Sequence, residues 1–364
     1  MNRILITPLD WGLGHATRCI PIIRYLLSIK CDVFIGSSGR ALQLLKIEFP
    51  DLQFFDLPAY APTYSKSSFM VWKMGLQLPK FIRAISSEHE AVEKIVREHN
   101  IDVVISDNRY GCWSAAIPSV FITHQSNILM PKRFGWMSRW IRIANESLIN
   151  KFQFCWIPDY PDDHSLAGEL ISFGNISFHA DVKYIGSLSR FVPQTSSYRY
   201  DVVAIISGPE PQRSILEQML TDQLDKSGLK FLLIQGRPDR KVVHKINGQA
   251  EIVNFLTSEQ LQEILPSANV IIARSGYSTI MDMKALERKV IFIPTPGQTE
   301  QEYLASRLKE KGVAYYMDQH KFDLALAMKE SKAYMGFRNS SEKNNLLMDA
   351  FQSLRTFSSN KEKQ

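Results

Sequence analysis

A histidine and an arginine follow two glycines near the start of the chain, in the segment from Pro8 to Arg18. Gly12 and Gly14 allow a sharp turn between a short apolar run and a helical segment, and they let the backbone approach a ligand closely. The N-terminus of that helix then offers free N–H groups to an anion. His15 stands at the mouth of the turn, and Arg18 lies three residues further on a similar helical face. A near-neutral imidazole beside an arginine suits general-base chemistry on a hydroxyl or on water.

The competing interpretation of this loop is a tight strand-to-helix connection in which His15 only caps the helix. The loop is also not the dinucleotide-binding fingerprint, because Thr17 stands where GxGxxG requires its third glycine. By itself the glycine loop therefore leaves base chemistry and simple capping equally open.

A second candidate anion site follows an apolar run in the other half of the chain. Small and hydroxylated residues again open a helical segment, and an arginine adds a permanent positive charge. An aspartate further along the helix has the chemistry to accept hydrogen bonds from both hydroxyls of a ribose. Ordinary helix capping and a favourable charge in a first turn are the alternatives. The residues concerned are Arg274, Ser275, Gly276, Thr279 and Asp282.

The loop after the next apolar run, from Pro294 to Tyr303, is dense in side-chain donors and acceptors. Gln301 and Glu302 belong to it, and such groups are what a protein needs to hold sugar hydroxyls. Both could instead be solvated helix residues. The order of the whole set favours a binding site over these separate explanations.

Polar residues also follow two short apolar runs of the first half. Asp107 and Arg109 come after one run, and His124 comes directly after the next. Because the carboxyl ends of parallel strands meet at one edge of a sheet, these residues are expected to face a ligand cleft, with Arg109 and His124 on the acceptor side. Asp107 is a candidate to orient His15 or to share in base chemistry, and a turn formed with Asn108 is the alternative.

Short apolar runs that alternate with segments of helical periodicity predict an α/β fold with parallel sheets. The runs form one series in each half, and two doubly wound halves leave a crevice lined by strand carboxyl ends. In the first half the predicted strands are Ile4 to Thr7, Val33 to Gly36, Phe54 to Leu57, Val103 to Ser106 and Val120 to Thr123, with helices at Thr17 to Ser28, Gly39 to Glu48 and Phe81 to His99. In the second half the predicted strands are Val202 to Ile206, Phe231 to Ile234, Ile252 to Asn254, Val270 to Ala273 and Val290 to Ile293.

The join between the halves is predicted between Ile185 and Tyr198, where Gly, Ser, Pro, Gln and Thr accumulate. This gives an N-terminal domain at 1–187 and a C-terminal domain at 188–356, followed by a polar tail at 357–364 that we expect to fray. A chain of 364 residues is long enough for two domains with separate cores.

The composition is that of a soluble globular protein, with 45% hydrophobic and 22% charged residues, and it excludes a disordered or fibrous chain. The net charge of +6 favours anionic ligands or surfaces without identifying one. The four cysteines form no CxxC pair, so no disulfide or zinc framework is expected and a reducing cytoplasm is the simplest setting. No apolar run approaches the roughly 20 residues that cross a bilayer.

Two stretches mix aromatic, apolar and basic residues, which is typical of surfaces that lie on anionic bilayers. A core with ordinary basic surface residues is the alternative, and nucleic acid is disfavoured because no DNA- or RNA-binding motif accompanies the charge. We therefore expect peripheral contact with the inner face of the cytoplasmic membrane. The stretches contain Lys66, Met70, Trp72, Lys73, Phe81 and Arg83, and then Met130, Lys132, Arg133, Phe134, Trp136, Arg139, Trp140 and Arg142.

The ordered set in the second half resembles the C-terminal domain of glycosyltransferase family 28, best known from the peptidoglycan N-acetylglucosaminyltransferase that makes lipid II. The resemblance is most specific from Asn254 to Leu308, and the loop from Gly12 to His15 is similar to the family's glycine-rich loop. It implies the GT-B fold, in which two Rossmann-like doubly wound domains face each other across a cleft. The matching residues are Arg274-Ser275-Gly276, Thr279, Asp282, Ile293-Pro294 and Gln301-Glu302-Tyr303.

The same resemblance implies a UDP-sugar donor held chiefly by the second half, with an N-acetylhexosamine or a hexose as the sugar. Asp282 takes the ribose position, where the family commonly has glutamate, and Glu302 replaces the second of two sugar-contacting glutamines. Asn254 and Phe255 are expected against the base, and Gly208 near the diphosphate. The full expected donor set is Gly14, Arg18, Gly208, Asn254, Phe255, Arg274, Ser275, Gly276, Thr279, Asp282, Gln301 and Glu302.

Three classes of function remain open. A glycosyltransferase would use His15, with Asp107, to deprotonate a glycan or lipid-linked acceptor. Inversion at the anomeric carbon follows only from the resemblance. No cluster of acidic residues looks like a metal site, so no metal ion or separate cofactor is expected. A nucleotide-sugar hydrolase is the runner-up, since the run from Gly14 to Arg18 resembles the GHxxR signature of the hydrolase of pseudaminic acid synthesis. A noncatalytic nucleotide-sugar-binding subunit is the third, and His15 together with the second-half set argues against it.

Overall fold

The computed structural model describes residues 2–60, 78–125, 138–161, 164–171, 179–238, 244–338 and 345–361. Within them the chain forms two seven-stranded sheets, and helices connect the strands. This is the two-domain α/β architecture that the alternation of apolar runs predicts, so the predicted fold class is confirmed.

The first sheet is parallel throughout. Its strands are β1 (Arg3–Pro8), β2 (Asp32–Ser37), β3 (Gln53–Asp56), β4 (Val103–Asp107), β5 (Ser119–Ile122), β6 (Phe154–Ile157) and β7 (Asp181–Tyr184), and its helices are α1 (Gly14–Ser28), α2 (Gly39–Glu48), α3 (Leu78–His99) and α4 (Ser138–Ile149). The strand order is β3-β2-β1-β4-β5-β6-β7. The order therefore reverses beside β1, and such a switch point is where open parallel sheets bind ligands.

The second sheet is parallel except for one edge pair. Its strands are β8 (Tyr200–Ile205), β9 (Phe231–Ile234), β10 (His244–Asn247), β11 (Ala250–Val253), β12 (Ala268–Ala273), β13 (Val290–Phe292) and β14 (Tyr315–Tyr316). Its helices are α5 (Gln212–Asp225), α6 (Ser258–Ile264), α7 (Tyr277–Ala285), α8 (Thr299–Glu310) and α9 (Leu324–Glu330). The order is β10-β11-β9-β8-β12-β13-β14, with β10 and β11 antiparallel.

The central strands read as almost continuous apolar runs because helices cover both faces of each sheet. Every residue of β4 is buried, and in β12 only Asn269 is exposed. The register brings strand ends level: Pro8 pairs with Asp107 in the first sheet, and Ala273 pairs with Ile205 in the second. The loops that leave these ends therefore emerge side by side.

All ten predicted strands are present, whereas four strands of the described residues were not predicted. Among the missed strands, β7 and β10 carry charged or polar residues and lie at sheet edges, and β14 is only two residues long. The fourth, β6, is a buried run of only four residues, although Pro158 and Asp159 directly after it are a turn signal that marks its end. Short edge strands are defined by their neighbours more than by their own pattern.

The last helix, α10 (Leu346–Lys361), belongs to the second half in sequence but packs on the first sheet. Its Phe351 is buried with ring centroids 5.2 Å from Tyr25 and 4.8 Å from Trp156. Residues 357–361 continue this helix, in place of the frayed tail that the polar composition predicts. The chain therefore crosses back to the first domain, because the apolar face of α10 is buried there.

None of the helices in the described part of the chain is both long and apolar enough to cross a bilayer. Trp140, Ile82 and Ile143 expose 70%, 56% and 48% of their surface, so parts of the two basic aromatic stretches do lie on the surface. Arg83, Arg139 and Arg142 are exposed as well, and Phe81 is half-buried. The other members of those stretches lie outside the described residues: Lys66, Met70, Trp72, Lys73, Met130, Lys132, Arg133, Phe134 and Trp136.

Candidate active site

The carboxyl ends of the two sheets face each other, and hydrogen bonds join their loops across the cleft between the domains. Ser278 Oγ in α7 donates to the carbonyl oxygen of Gly14 at 2.8 Å. Tyr277 Oη donates to the carbonyl oxygen of Pro158 at 2.9 Å. The two helices that begin at the glycine turns, α1 and α7, therefore meet in the cleft, which is closed at this point.

The N-terminal glycine loop makes this close approach possible. Gly12 has a φ of +93°, a region that glycine adopts without strain. A Cβ atom added to Gly14 would lie only 3.1 Å from Ser278 Oγ. The sharp turn predicted for the loop is confirmed, and capping by His15 is not observed, because no side chain caps the N-terminus of α1.

His15 is paired with Asp107 at the end of β4. The distance from His15 Nδ1 to Asp107 Oδ1 is 3.0 Å, and the carboxylate is fully buried. Arg18 donates from Nε to Asp107 Oδ2 at 2.5 Å and from Nη2 to Oδ1. His15 Nδ1 also lies 2.9 Å from Arg18 Nη2, which donates to Asp107 Oδ1. Because the carboxylate only accepts hydrogen bonds and already takes the one from Nη2, we assign the imidazole hydrogen to Nδ1, directed at Asp107. The lone pair of His15 Nε2 is then available for a proton.

The charges around this pair fix its protonation state. Burial lowers the pKa of His15, the nearby Arg18 lowers it further, and Asp107 opposes both effects. Burial alone would raise the pKa of Asp107, but Arg18 and His15 hold that pKa well below its usual range. At neutral pH the site therefore contains a neutral imidazole and an ionised carboxylate, the arrangement that a general base requires.

His124, directly after β5, extends the network towards the second domain. Arg18 Nη1 donates to His124 Nδ1 at 2.6 Å, and His124 Nε2 donates to Glu300 Oε1 at 3.0 Å. The imidazole ring also stacks on Tyr277, with centroids 4.5 Å apart and planes 4° from parallel. The predicted position of His124 at the cleft is thus observed, and its ring contacts both domains.

Arg109 lies in a different environment from the one predicted. Its side chain is fully buried and forms an ion pair with Glu88 in α3. Its Nη2 donates to the carbonyl oxygen of Pro58 at 2.6 Å, and its guanidinium lies 5.9 Å from the ring centroid of Tyr60. Arg109 was expected on the acceptor side of the cleft, and this prediction is wrong. The turn after β4 directs its side chain towards α3 and Pro58, where it forms a buried ion pair with Glu88.

The second domain holds a buried cation without an acidic partner. Arg274 donates from Nη1 and Nη2 to the carbonyl oxygens of Ile293, Pro294 and Gln212, and to the amide oxygen of Gln319. Burial lowers the pKa of Arg274 to about 9. None of these partners is charged, so the guanidinium charge is uncompensated within the described residues.

Two buried polar atoms without a hydrogen-bond partner lie close to a glycine turn beside this cation. Arg274 Nε and Thr295 Oγ1 are buried and have no hydrogen-bond partner among the described residues. They lie 3.8 and 3.5 Å from the position of a Cβ atom at Gly208, whose φ is +110°. Buried polar atoms without a partner cost about 1–3 kcal/mol each, so this turn has the donors and the charge that an anion would satisfy.

Asp282 is engaged by the linker between the domains. Its Oδ1 accepts from Ser189 Oγ at 2.9 Å, and its Oδ2 lies 3.4 Å from Arg190 Nε. Burial raises the pKa of this carboxyl group, and Arg190 opposes the change. The predicted ribose carboxylate thus lies in α7 next to the linker, and both of its oxygens contact the linker.

The loop from Pro294 to Thr299 is held by the residues predicted to bind the sugar. Gln301 Oε1 accepts from the backbone N–H of Thr295 at 2.9 Å, and Glu302 Oε1 accepts from that of Gly297 at 2.9 Å. Ser275 Oγ donates to the carbonyl oxygen of Gln301 at 2.8 Å, so it does not cap α7. Thr279 is half-buried in the first turn of α7.

The predicted base-contacting residues follow β11. The backbone N–H of Arg237 donates to the carbonyl oxygen of Asn254 at 2.8 Å, and Phe255 is 8% exposed. The two loops after β9 and β11 are therefore joined beside the N-terminus of α6. Gly276 serves as the N-cap of α7, without a side-chain hydrogen bond.

Glu300, Thr295 and Arg190 were not predicted individually as site residues, although the polar loop from Pro294 to Tyr303 contains the first two. Glu300 immediately precedes Gln301, so the polar loop signal covered it, but nothing in the sequence indicates that His124 is its partner 176 residues away. No group of three or more His, Cys, Asp or Glu residues with the geometry of a metal site occurs in the part of the chain that the structure describes.

The two Rossmann-like domains and the cleft between them belong to the GT-B fold class, which solved glycosyltransferase structures share. Residues 202–346 match the model of the glycosyltransferase family 28 C-terminal domain. The second half of the chain is thus similar to the domain that the Arg274 to Tyr303 motif predicts, and the predicted resemblance is confirmed.

Relatives and solved structures agree with this class. An uncharacterized glycosyltransferase of Methanosarcina acetivorans is 25% identical over 331 residues, which cover 85% of this chain and 84% of the relative. A UDP-N-acetylglucosamine–N-acetylmuramyl-(pentapeptide) pyrophosphoryl-undecaprenol N-acetylglucosamine transferase of Bacillus pumilus is 26% identical over 253 residues, or 65% of this chain and 63% of the relative. The MurG structure of Acinetobacter baumannii has a TM-score of 0.55 at 12% identity, covering 98% of this chain and all of that one, and shows the shared fold.

Proposed function

We propose that this chain transfers a sugar from a UDP-sugar to a hydroxyl group of a glycan or lipid-linked acceptor, with His15 as the base. The observation that carries the proposal is that the two domains supply the two groups that such a reaction needs, a base and a site for an anion. The first domain presents a neutral imidazole held by Asp107, and the second presents Arg274, a buried cation without an acidic partner. A base and an anion site on opposite walls suit displacement of a nucleoside diphosphate.

The proposed step is a direct displacement at the anomeric carbon. His15 Nε2 takes the proton of the acceptor hydroxyl while its oxygen forms the new glycosidic bond. The bond from the sugar to the diphosphate breaks, and UDP leaves with the electron pair. Attack from the face opposite the leaving group inverts the configuration. Asp107 accepts a hydrogen bond from Nδ1 throughout and stabilises the imidazolium that forms.

The charge on the departing diphosphate is proposed to be received by groups of the second domain. Arg274 supplies a full positive charge beside Gly208. The N-terminus of α7 has no side-chain cap, so its N–H groups and positive dipole end are available to phosphate oxygens. With these groups present, we propose that transfer needs neither a metal ion nor a separate cofactor.

The proposed identity of the donor rests on the names of one relative and one solved structure. The Bacillus pumilus relative uses UDP-N-acetylglucosamine by its name, and one solved neighbour, SsfS6 of Streptomyces sp. SF2575, is complexed with thymidine diphosphate. We propose UDP as the nucleotide, and an N-acetylhexosamine or a hexose as the sugar. The ribose is proposed to meet Asp282 once its contacts to Ser189 and Arg190 rearrange.

A lipid-linked acceptor would bring the first domain to a membrane. Trp140 and Ile143 in α4 and Ile82 in α3 are exposed apolar side chains beside the arginines of the same helices. Such a surface can bury its apolar groups in a bilayer while the arginines meet anionic lipid headgroups. We therefore propose peripheral contact with the inner face of the cytoplasmic membrane, in a cytoplasmic protein.

The test is UDP release from a panel of UDP-sugars, measured with and without a membrane lipid extract. Wild type, His15→Ala and the matched surface control His320→Ala are compared. We expect extract-dependent release by wild type and the control, and a loss of about 10²–10⁴-fold in His15→Ala. Equal release without extract would instead identify a nucleotide-sugar hydrolase, and binding of UDP-sugar without any release would identify a noncatalytic subunit.

A further inference from the structure

The hydrogen-bonded network around His15 does not end within the first domain. It runs from His15 to Asp107, from Asp107 to Arg18, from Arg18 to His124, and then across the cleft to Glu300 in the first turn of α8. Glu300 belongs to the second domain and directly precedes Gln301, which holds the donor-side loop. One carboxylate of the second domain therefore contacts the network that supports the base.

The donors and acceptors around His124 fit a single arrangement. The guanidinium of Arg18 can only donate, so His124 Nδ1 must accept its hydrogen bond. His124 Nε2 then carries the ring hydrogen and donates it to Glu300. Without Glu300, this buried N–H would lose its partner, and the stacking of the ring on Tyr277 leaves it little freedom to find another.

Burial makes the contact stronger than an ordinary surface ion pair. The side chains of His124 and Arg18 are 8% and 1% exposed, and that of Glu300 is 28% exposed. Charges in such surroundings are screened by solvent much less than charges on the surface. Burial alone would raise the pKa of Glu300, but His124, His15 and Arg18 lower it, so Glu300 is ionised at neutral pH.

The charge of Glu300 acts on His15 in a defined direction. The groups that face His15 are Arg18 in α1, Asp107 at the end of β4, His124 after β5, and Glu300 in α8. Burial, Arg18 and His124 disfavour the imidazolium form, whereas the carboxylate of Asp107 favours it. The carboxylate of Glu300 interacts favourably with the charge on His15, so removing its charge removes one of the groups that favour the imidazolium.

We propose that Glu300 is a positioning residue of the base: across the closed cleft its carboxylate holds His124 and Arg18 in the arrangement that supports the His15–Asp107 pair. The base is then assembled from both domains and is complete only when the second domain meets the first. This inference rests on the proposed role of His15, although its structural part concerns only the network.

The decisive measurement is a titration of the His15 ring by NMR in the full chain, which does not depend on turnover. Glu300→Gln keeps a hydrogen-bond acceptor for His124 and removes only the charge, whereas Glu300→Ala removes both. We expect the pKa of His15 to fall in Glu300→Gln and the His124 ring signal to shift further in Glu300→Ala. Glu310→Gln, at the exposed end of the same helix, should leave both signals unchanged.

The pH profile of UDP release gives a second readout. Loss of the Glu300 charge should move the acid limb of the profile to lower pH and lower the plateau, because a weaker base is neutral over a wider range but takes the proton less readily. An unchanged His15 titration in Glu300→Gln would overturn the proposal. If that titration shifts while His15→Ala still turns over, Glu300 acts on the network but His15 is not the base.

Discussion

Replacing Asp107 with asparagine removes one negative charge from the interior and changes almost nothing in size. His15 Nδ1 and Arg18 Nε, at 3.0 and 2.5 Å, both lose an ionised acceptor. Arg18 is only 2% exposed, so its guanidinium would stay in the interior with its adjacent counter-ion removed. Breaking a buried ion pair from one side costs about 3–5 kcal/mol. We therefore expect the free energy of unfolding to fall by about 3–5 kcal/mol at pH 7.

The pH dependence of this loss follows from the depressed pKa of Asp107. In the folded protein that pKa lies below its ordinary value of 3.8, so the unfolded chain binds the proton more readily. The stabilisation is complete above pH 3.8 and is lost as the pH falls through the lower folded value. The difference in stability between wild type and Asp107→Asn should accordingly narrow in acid below pH 3.8.

The assay is denaturant unfolding followed by circular dichroism at several pH values. Asp181→Asn is the matched control, since its carboxylate is half exposed beside Lys183, and we expect a change within about 0.5 kcal/mol. Release of UDP by Asp107→Asn should fall by about 10²-fold or more if the carboxylate orients the base. A variant as stable as wild type at pH 7 would show that other groups compensate Arg18 and would refute the reasoning.

Two further predictions concern the second domain and the last helix. Arg274→Gln removes the buried charge and with it the hydrogen bonds that the guanidinium donates to four oxygens, so we expect a lower melting temperature without ligand. We also expect loss of the stabilisation that added UDP confers, and a retained UDP-induced shift in melting temperature would contradict an anion site there. Phe351→Ala should destabilise the protein by about 3–5 kcal/mol, because this ring fills the space between Tyr25 and Trp156, and exposed Gln352→Ala is its control in denaturant unfolding.

The parts of the candidate site that depend on short sequence patterns were predictable from the sequence. The apolar run that becomes β1, the glycines after it and the spacing of His15 and Arg18 together specify a strand, a turn and a helix with both side chains near its start. The run from Arg274 to Asp282 likewise specifies a strand end followed by a helix N-terminus. These features depend on residues within a few positions of one another, so one sequence suffices to find them.

The partners of these residues depend on which strands become neighbours. Asp107 reaches His15 over 92 positions because β4 pairs with β1, with Pro8 level with Asp107. A local pattern identifies both strands but does not give their order in the sheet. For that reason Asp107 as a turn residue and Asp107 as the partner of the base were equally compatible with the sequence.

The packing of the two domains decided the side-chain partners that local patterns do not give. Arg109 and His124 both follow the end of a strand. The turn after β4 directs the side chain of Arg109 to Glu88 in the interior of the first domain, whereas His124 contacts Glu300 across the cleft. The helix from Leu346 to Lys361 returned to the first sheet because its apolar face is buried there. The sequence by itself determined the two-sheet architecture and the residues at its strand ends. Only the tertiary structure decided which of those residues meet, since contacts over such separations arise from strand order and domain packing.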